Sequence, residues 1–186
     1  VIVAKGLSVE GVFADVSLEA GENTLTVVAG PTGSGRTSLL LTLSGRMKPT
    51  AGTLHVAGHT RPHAIRRVAA LALVDGVTDF DKALTVHEHL HERRRGRKHH
   101  AEALEGAGLE VDRRTLVREL DREQRVRLGV ALALLDSPAL IVADNIDAGL
   151  PPERQIALWN LLRDLPTTVV ASSVTAPARY DHLVEL

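Results

Sequence analysis

The segment Gly30-Pro31-Thr32-Gly33-Ser34-Gly35-Arg36-Thr37-Ser38 limits what this chain can fold into more than any other. It follows the phosphate-loop pattern G-x-x-x-x-G-K-[ST] at every position except the lysine, which is Arg36. The apolar run from Leu25 to Ala29 reads as a buried strand leading in. The run after Ser38 reads as a helix that starts near Arg36 and stops near Gly45. Strand, glycine loop, helix is the context in which such a loop wraps an anion. Glycines let the backbone approach closely and turn its N–H groups inward. The helix N-terminus adds partial positive charge. Thr37 stands where a hydroxyl would ligate Mg2+.

Arg36 keeps the positive charge of the missing lysine. Its guanidinium is a wide planar fork where lysine offers a compact ammonium, so bound phosphates would be held differently. The chain uses 18 Arg against 4 Lys, so compositional drift accounts for the swap without making it harmless.

With 186 residues the chain is long enough for one domain with a sizeable core. The formal net charge of −1 carries no electrostatic footprint for nucleic acid. Phe13, Phe80, Trp159 and Tyr180 are the only aromatic residues, so the core must be built from Leu, Val, Ala and Ile. The absence of cysteine excludes disulfides and thiolate chemistry. No apolar run approaches the roughly 18 residues of a membrane span. No signal peptide opens the chain, although it begins at Val1 and not at Met, as a piece of a longer protein would. The expectation is a soluble intracellular α/β domain.

Read in order, residues 1–4 and 12–18 alternate as strands joined by a turn near Gly11. Residues 53–56 form a short strand closed by Gly58, and residues 68–74 another that ends at Asp75-Gly76. Thr85 reads as the N-cap of a helix. Residues 92–100 are dominated by charge and histidine and read as a solvated face or loop. Helices are expected over 101–107, 112–120, 123–135 and 151–164, with Val126, Val130 and Leu134 on one stripe of the third. Strands are expected at 139–143, 167–171 and 182–186. Strands that are continuous apolar runs alternating with helices point to a buried, mainly parallel sheet.

The order of these pieces resembles the nucleotide-binding domain of ABC (ATP-binding cassette) transporters. Residues 13–22 look like the lead-in to its phosphate loop, and residues 30–38 like its Walker A motif. Leu84-Thr85-Val86-His87-Glu88-His89-Leu90 looks like the start of its helical subdomain. The stretch from Gln124 looks like the helix after its signature motif. Leu140-Ile141-Val142-Ala143-Asp144-Asn145 looks like Walker B, and residues 148–152 like the loop that follows. The resemblance implies an α/β P-loop NTPase fold over residues 1–186. It has a mainly parallel sheet flanked by helices, a small N-terminal β subdomain and a shortened helical subdomain at about 76–135. It also implies ATP as ligand at Gly30 to Ser38, and Mg2+ held by Thr37 and Asp144. The implied partners are a second ABC domain and a transmembrane permease, at the cytoplasmic face of a membrane.

The departures from the family pattern fall where the family does chemistry. ABC domains pair head to tail, and the signature Leu-Ser-Gly-Gly-Gln of one chain covers the ATP of the other. Here it reads Leu120-Asp121-Arg122-Glu123-Gln124. Asp121 and Glu123 would bring carboxylates toward a polyanion. Two like charges about 4 Å apart repel by ~1 kcal/mol in water and ~4 kcal/mol at an effective dielectric of about 20. The glutamate that polarises the attacking water is replaced by Asn145, and general-base loss typically costs roughly 10²–10⁴ in rate. Ser173 aligns with the switch histidine and Asp75 with the Q-loop glutamine. No aromatic that could stack on adenine lies between Leu7 and Val12. The expected function is therefore ATP binding in a transporter with hydrolysis weak or lost. A homodimer would combine two damaged half-sites, so an active assembly implies a distinct partner. The alternative is a pseudo-ATPase that serves as a structural or regulatory docking module.

Two signals compete. His87-Glu88-His89-Leu90-His91 matches H-E-x-x-H, in which His87 and His91 would bind zinc with Glu88 as base and Glu110 as a third-ligand candidate. The third reading is thus a metal-dependent hydrolase. The run Glu92-Arg93-Arg94-Arg95-Gly96-Arg97-Lys98 has the composition of a phosphate or acidic-lipid contact, or of a solvated surface.

Overall fold

A computed structural model describes residues 1–93 and 97–186. The chain begins with β1 (Ile2–Val9), β2 (Phe13–Ala20), β3 (Leu25–Ala29), α1 (Arg36–Leu43) and β4 (Ala51–Val56). It continues through α2 (Pro62–Val68), β5 (Ala69–Leu71), α3 (Val86–Glu92), α4 (Arg97–Gly106) and a 3-10 turn (Val117–Glu119). It ends with α5 (Arg122–Leu134), β6 (Leu140–Ala143), α6 (Pro152–Asp164), β7 (Thr168–Ser173) and β8 (His182–Glu185).

Two sheets form. β2-β1-β4 is antiparallel and three-stranded. β5-β6-β7-β3-β8 is five-stranded and parallel throughout. The parallel sheet is buried on both faces, and its alternating side chains enter two different cores. Val28, Val142 and Val170 face one way and pack with Leu39, Leu40 and Leu43 of α1 and with Ile2 and Leu7 of the antiparallel sheet. Val27, Ile141 and Val169 face the other way and pack with Leu128 of α5 and Leu158 and Trp159 of α6. This double burial is why the strands read as unbroken apolar runs. The α/β P-loop class, with its N-terminal β subdomain and its helical segment between β5 and β6, is as expected.

The local differences have identifiable causes. β1 runs on to Val9 because irregularities between Ala4 and Leu7 and between Leu7 and Val9 let it keep pairing with β2. The strand expected over 68–74 is only three residues long. Pro62 starts α2, which runs to Val68 and takes the front of that stretch. Beyond β5 the chain still tracks β6, since Ala72 N–H donates to the Val142 carbonyl and Asp144 N–H to that of Leu73. The helix expected over 112–120 shrinks to a 3-10 turn. The carbonyls of Arg113 and Thr115 instead accept from His87 and Val86 N–H, which open the first turn of α3. In the stretch 92–100, expected as a solvated face or loop, α4 begins at Arg97; Glu92, Arg93, Lys98 and His99 are exposed, and His100 is buried. Of the basic run, residues 94–96 lie outside the described residues. On α5, Leu134 sits at the core edge while Val126 and Val130 are fully enclosed. β7 extends to Ser173, two residues past the expected end. Among the described residues no helix is long and apolar enough to cross a membrane.

Gly129 lies inside α5 where an added Cβ would run into the Ala72 carbonyl oxygen. Alanine would gain about 1 kcal/mol of helix propensity there. The clash involves backbone that cannot swing aside, and overpacking of this kind costs about 1–3 kcal/mol. Gly129→Ala is therefore expected to lower the denaturation midpoint, as measured by urea unfolding.

Candidate functional site

β6, β7 and β3 are adjacent and parallel, so the segments that follow them leave from one edge of the sheet. This is the edge outside the carboxyl ends of the strands, where open α/β sheets form their crevices. The glycine loop leaves β3, Asp144 and Asn145 follow β6, and Ser172 and Ser173 end β7.

The loop makes a tight turn, with Ser34 N–H donating to the Pro31 carbonyl at 3.2 Å. Gly30 has no room for a side chain, because a Cβ would meet the Leu186 carbonyl oxygen at 2.6 Å and Ser34 Oγ at 2.7 Å. Gly35 occupies the left-handed region with φ 97° and caps α1 without any side-chain acceptor. The first turn of α1 contains no acidic residue of its own, and no side-chain oxygen caps its N–H groups. Arg36 is buried, yet among the described residues its Nη1 has no hydrogen-bond partner, and neither does Ser34 Oγ. Two buried, partnerless polar groups on an uncapped loop are what a phosphate-binding loop retains for its ligand. Thr32, Gly33 and Pro31 are exposed, and Ser38 is half-buried.

Asp144 is 1% exposed. Its Oδ2 accepts from Thr37 Oγ1 at 2.6 Å, and its Oδ1 accepts from Ser172 Oγ. Ser172 also accepts from Asn145 N–H at 2.9 Å. The Thr37 hydroxyl and the Asp144 carboxylate thus stand together as a hard-oxygen donor pair, which fits a divalent cation such as Mg2+.

The other residues singled out from the sequence are held by their own chain. Ser173 is buried, its Oγ lying 2.7 Å from both Asp147 Oδ2 and the Thr175 carbonyl oxygen. Trp159 Nε1 donates to the same Asp147 oxygen at 3.1 Å. Asp121 caps α5, accepting from Gln124 N–H at 2.9 Å while Gln124 Oε1 accepts from Asp121 N–H at 3.0 Å. Arg154 Nη1 donates to Asp121 Oδ2 at 2.9 Å. Glu123 accepts from Arg127 Nη2 at 2.6 Å. Arg122 reaches in another direction, to Asp75 Oδ1 at 3.1 Å and the Asn145 carbonyl at 3.0 Å. Leu120 is buried in the core. Arg127 was legible as the i+4 partner of Glu123. Asp147, Arg154 and Ser172 carried no sequence signal, because only the packing of α6 and β7 against β6 brings them in.

A cleft of about 730 Å³ adjoins the loop, lined among others by Val12, Asp15, Pro31, Ser34 and Glu185. Val12 is the exposed apolar side chain there, whereas Phe13 is turned into the core.

The H-E-x-x-H arrangement does not assemble. Glu88 Oε2 accepts from both Thr85 N–H and Thr85 Oγ1 at 2.7 Å, which makes it the far half of a capping box. The Thr85 N–H, followed by its hydroxyl, holds the Glu88 carboxyl below the usual carboxylate range. The His87 and His91 rings pack edge to face at 4.7 Å. His89 is buried against Phe80, with Nε2 3.1 Å from the Asp81 carbonyl oxygen. Among the described residues, Glu110 included, no three acidic or histidine side chains are placed to hold a metal.

The cap is testable. The Gln124 N–H, reinforced by Arg154 and opposed by burial, holds the Asp121 carboxyl below its ordinary value. Its folded pKa is depressed, so its contribution is present above the unfolded value of about 3.9 and is lost as pH falls through the folded value. Asp121→Ala should cost about 1 kcal/mol at neutral pH. That difference should shrink in acid, as read by unfolding midpoints across pH.

Comparison with known proteins agrees with this arrangement. The family model for ABC transporters matches residues 13–148. The Nod factor export ATP-binding protein I of Ralstonia nicotianae is 36% identical over 145 residues, covering 73% of this chain and 45% of that protein. The methionine import ATP-binding protein MetN of Nocardia farcinica is 30% identical over 182 residues, covering 90% and 53% respectively. The chain thus spans about half the length of the curated relatives it matches. A solved ABC transporter ATP-binding protein of Pyrococcus furiosus superposes with a TM-score of 0.85 at 19% identity, covering 100% of this chain and 96% of that one, and so speaks for the fold alone. With the family model spanning well over half of its length, the chain belongs to the ABC transporter family.

Proposed function

We propose that this chain is the ATP-binding domain of an ABC-type transporter, and that it binds ATP while hydrolysing it weakly or not at all. One observation carries the reading: the Thr37–Asp144 hydrogen bond sits beside a glycine loop whose buried Arg36 Nη1 and Ser34 Oγ have no partner among the described residues. Gly30 to Ser38 would take the phosphates, with Arg36 supplying charge through its free nitrogen. Thr37 and Asp144 would hold Mg2+, which when bound neutralises phosphate oxygens. Residues 76–135 act as the helical subdomain of this single domain.

Weak hydrolysis follows from the groups around that pair. The Asn145 amide can orient a water but cannot take its proton. Ser173 is committed to Asp147 and is uncharged. Asp121 and Glu123 are drawn to Arg154 and Arg127, and the extended side chains at 121–123 leave no glycine approach for a partner's nucleotide. In an active assembly a distinct second ABC domain supplies the competent half-site, and a membrane permease receives the motion at the cytoplasmic face. The relatives' names, which include both import and export, do not point to a single substrate or direction. The second reading, a pseudo-ATPase docking module, is favoured by the same Ser173 and Asn145 substitutions.

Calorimetric titration with ATP separates the two. Micromolar, Mg2+-dependent binding is expected, and binding absent at millimolar ATP would move the docking module to first place. Arg36→Ala should weaken binding at least roughly tenfold, about 1.4 kcal/mol or more. Steady-state phosphate release by the purified chain alone should stay near background. Rapid turnover would overturn the impaired-hydrolysis reading.

A further inference from the structure

A second concentration of positive charge lies at the other end of α1. Arg46 follows that helix, Arg66 and Arg67 end α2, and Arg93 caps the end of α3. Together with Thr78 and Asp136 they line a pocket of about 330 Å³ at the β5 edge of the parallel sheet. The eight residues of α1, at about 1.5 Å each, separate it from the phosphate loop by about 12 Å, and the two share no residue.

The arginines come from three distant parts of the chain and are brought together only by folding. Arg46 is held in place, its Nη1 donating to the carbonyls of Ser44 at 3.0 Å and Ala69 at 3.2 Å. Among the described residues its other nitrogens have no such partner. Burial, and then the charge of Arg66, hold its pKa below the ordinary value, which is what close like charges do. It remains cationic at neutral pH. Among the described residues Asp136 is the one carboxylate in the lining, and it is paired with Arg93 at 3.0 Å. Among the described residues, Arg46, Arg66 and Arg67 have no acidic partner. Four guanidinium groups against one carboxylate are unfavourable without an anion, and the fork geometry of arginine suits a tetrahedral oxyanion.

We propose that Arg46, Arg66, Arg67 and Arg93 form a second anion site, separate from the glycine loop, that binds a phosphate-bearing group. Such a group comes either as a soluble phosphate compound or as an acidic phospholipid headgroup, and both present the same oxygens to the guanidinium forks. The site does not depend on the chain binding ATP.

The test uses two probes and a variant outside the glycine loop. Pyrophosphate is titrated into the labelled protein while the backbone amides of residues 66–71 and the arginine Nε–H resonances are followed by NMR, which separates this pocket from the loop. Vesicles of phosphatidylcholine, with and without phosphatidylglycerol, are used for co-flotation. Arg66 and Arg67 are exposed, so Arg66→Gln/Arg67→Gln should retain the fold, as checked by circular dichroism. If helicity is lost, Arg67→Gln alone replaces it. Saturable pyrophosphate shifts at 66–71 that weaken at least roughly tenfold in the variant support the site with a soluble ligand. Phosphatidylglycerol-dependent flotation that the variant loses supports it with a headgroup. If neither probe binds the natural sequence at this pocket, or the variant binds both equally well, the proposal is overturned.

Discussion

The buried carboxylate of Asp144 is the constraint on which the rest of the site depends. An ionised carboxylate removed from water is strongly unfavourable unless it is hydrogen-bonded. Here two hydroxyls meet it, Thr37 from α1 and Ser172 from β7. That arrangement joins three elements at one edge of the sheet. It places the first turn of α1, and with it Arg36 and the glycine loop, directly beside the end of β6. The leucines of α1 hold the helix on the sheet face. The hydroxyl of Ser172 extends the network to the backbone of Asn145.

Around this centre, side chains that differ from the family pattern find partners within the same chain. The interactions are unequal in weight. Glu123 and Arg127 are about 15% exposed and close, so their pairing is the stronger one. Arg154 with Asp121, and Arg122 with Asp75, lie near solvent, where such pairs are worth about 0–1 kcal/mol. Position 121 matters chiefly as a helix cap, and its carboxylate is used to begin α5. The Asp121 and Glu123 carboxylates are matched within the chain by Arg154 and Arg127. Arg122 turns to Asp75 and the Asn145 carbonyl.

Local rules account for what was readable beforehand. The glycine loop, its flanking strand and helix and the Thr85 cap are signals carried by neighbouring residues. The continuous apolar runs of β3, β6 and β7 announced a sheet covered on both faces. Long-range competition accounts for the misses. Residues 112–120 carry a helical pattern, but two of their carbonyls are needed by the first turn of α3. His87, Glu88 and His91 match a zinc motif, but Glu88 satisfies the N-terminus of its own helix. A spacing motif says nothing about which hydrogen bonds its side chains have already made.

The sequence by itself determined the fold class, the anion-wrapping loop and the order of the strands. Each of these follows from burial periodicity and from backbone conformations that only certain residues permit. The tertiary structure alone decided that Ser172 joins Asp144, that Ser173 turns to Asp147 and that arginines 46, 66, 67 and 93 share one pocket. Those outcomes depend on strand order and on which helix covers which face, and residues far apart in the chain encode them only jointly.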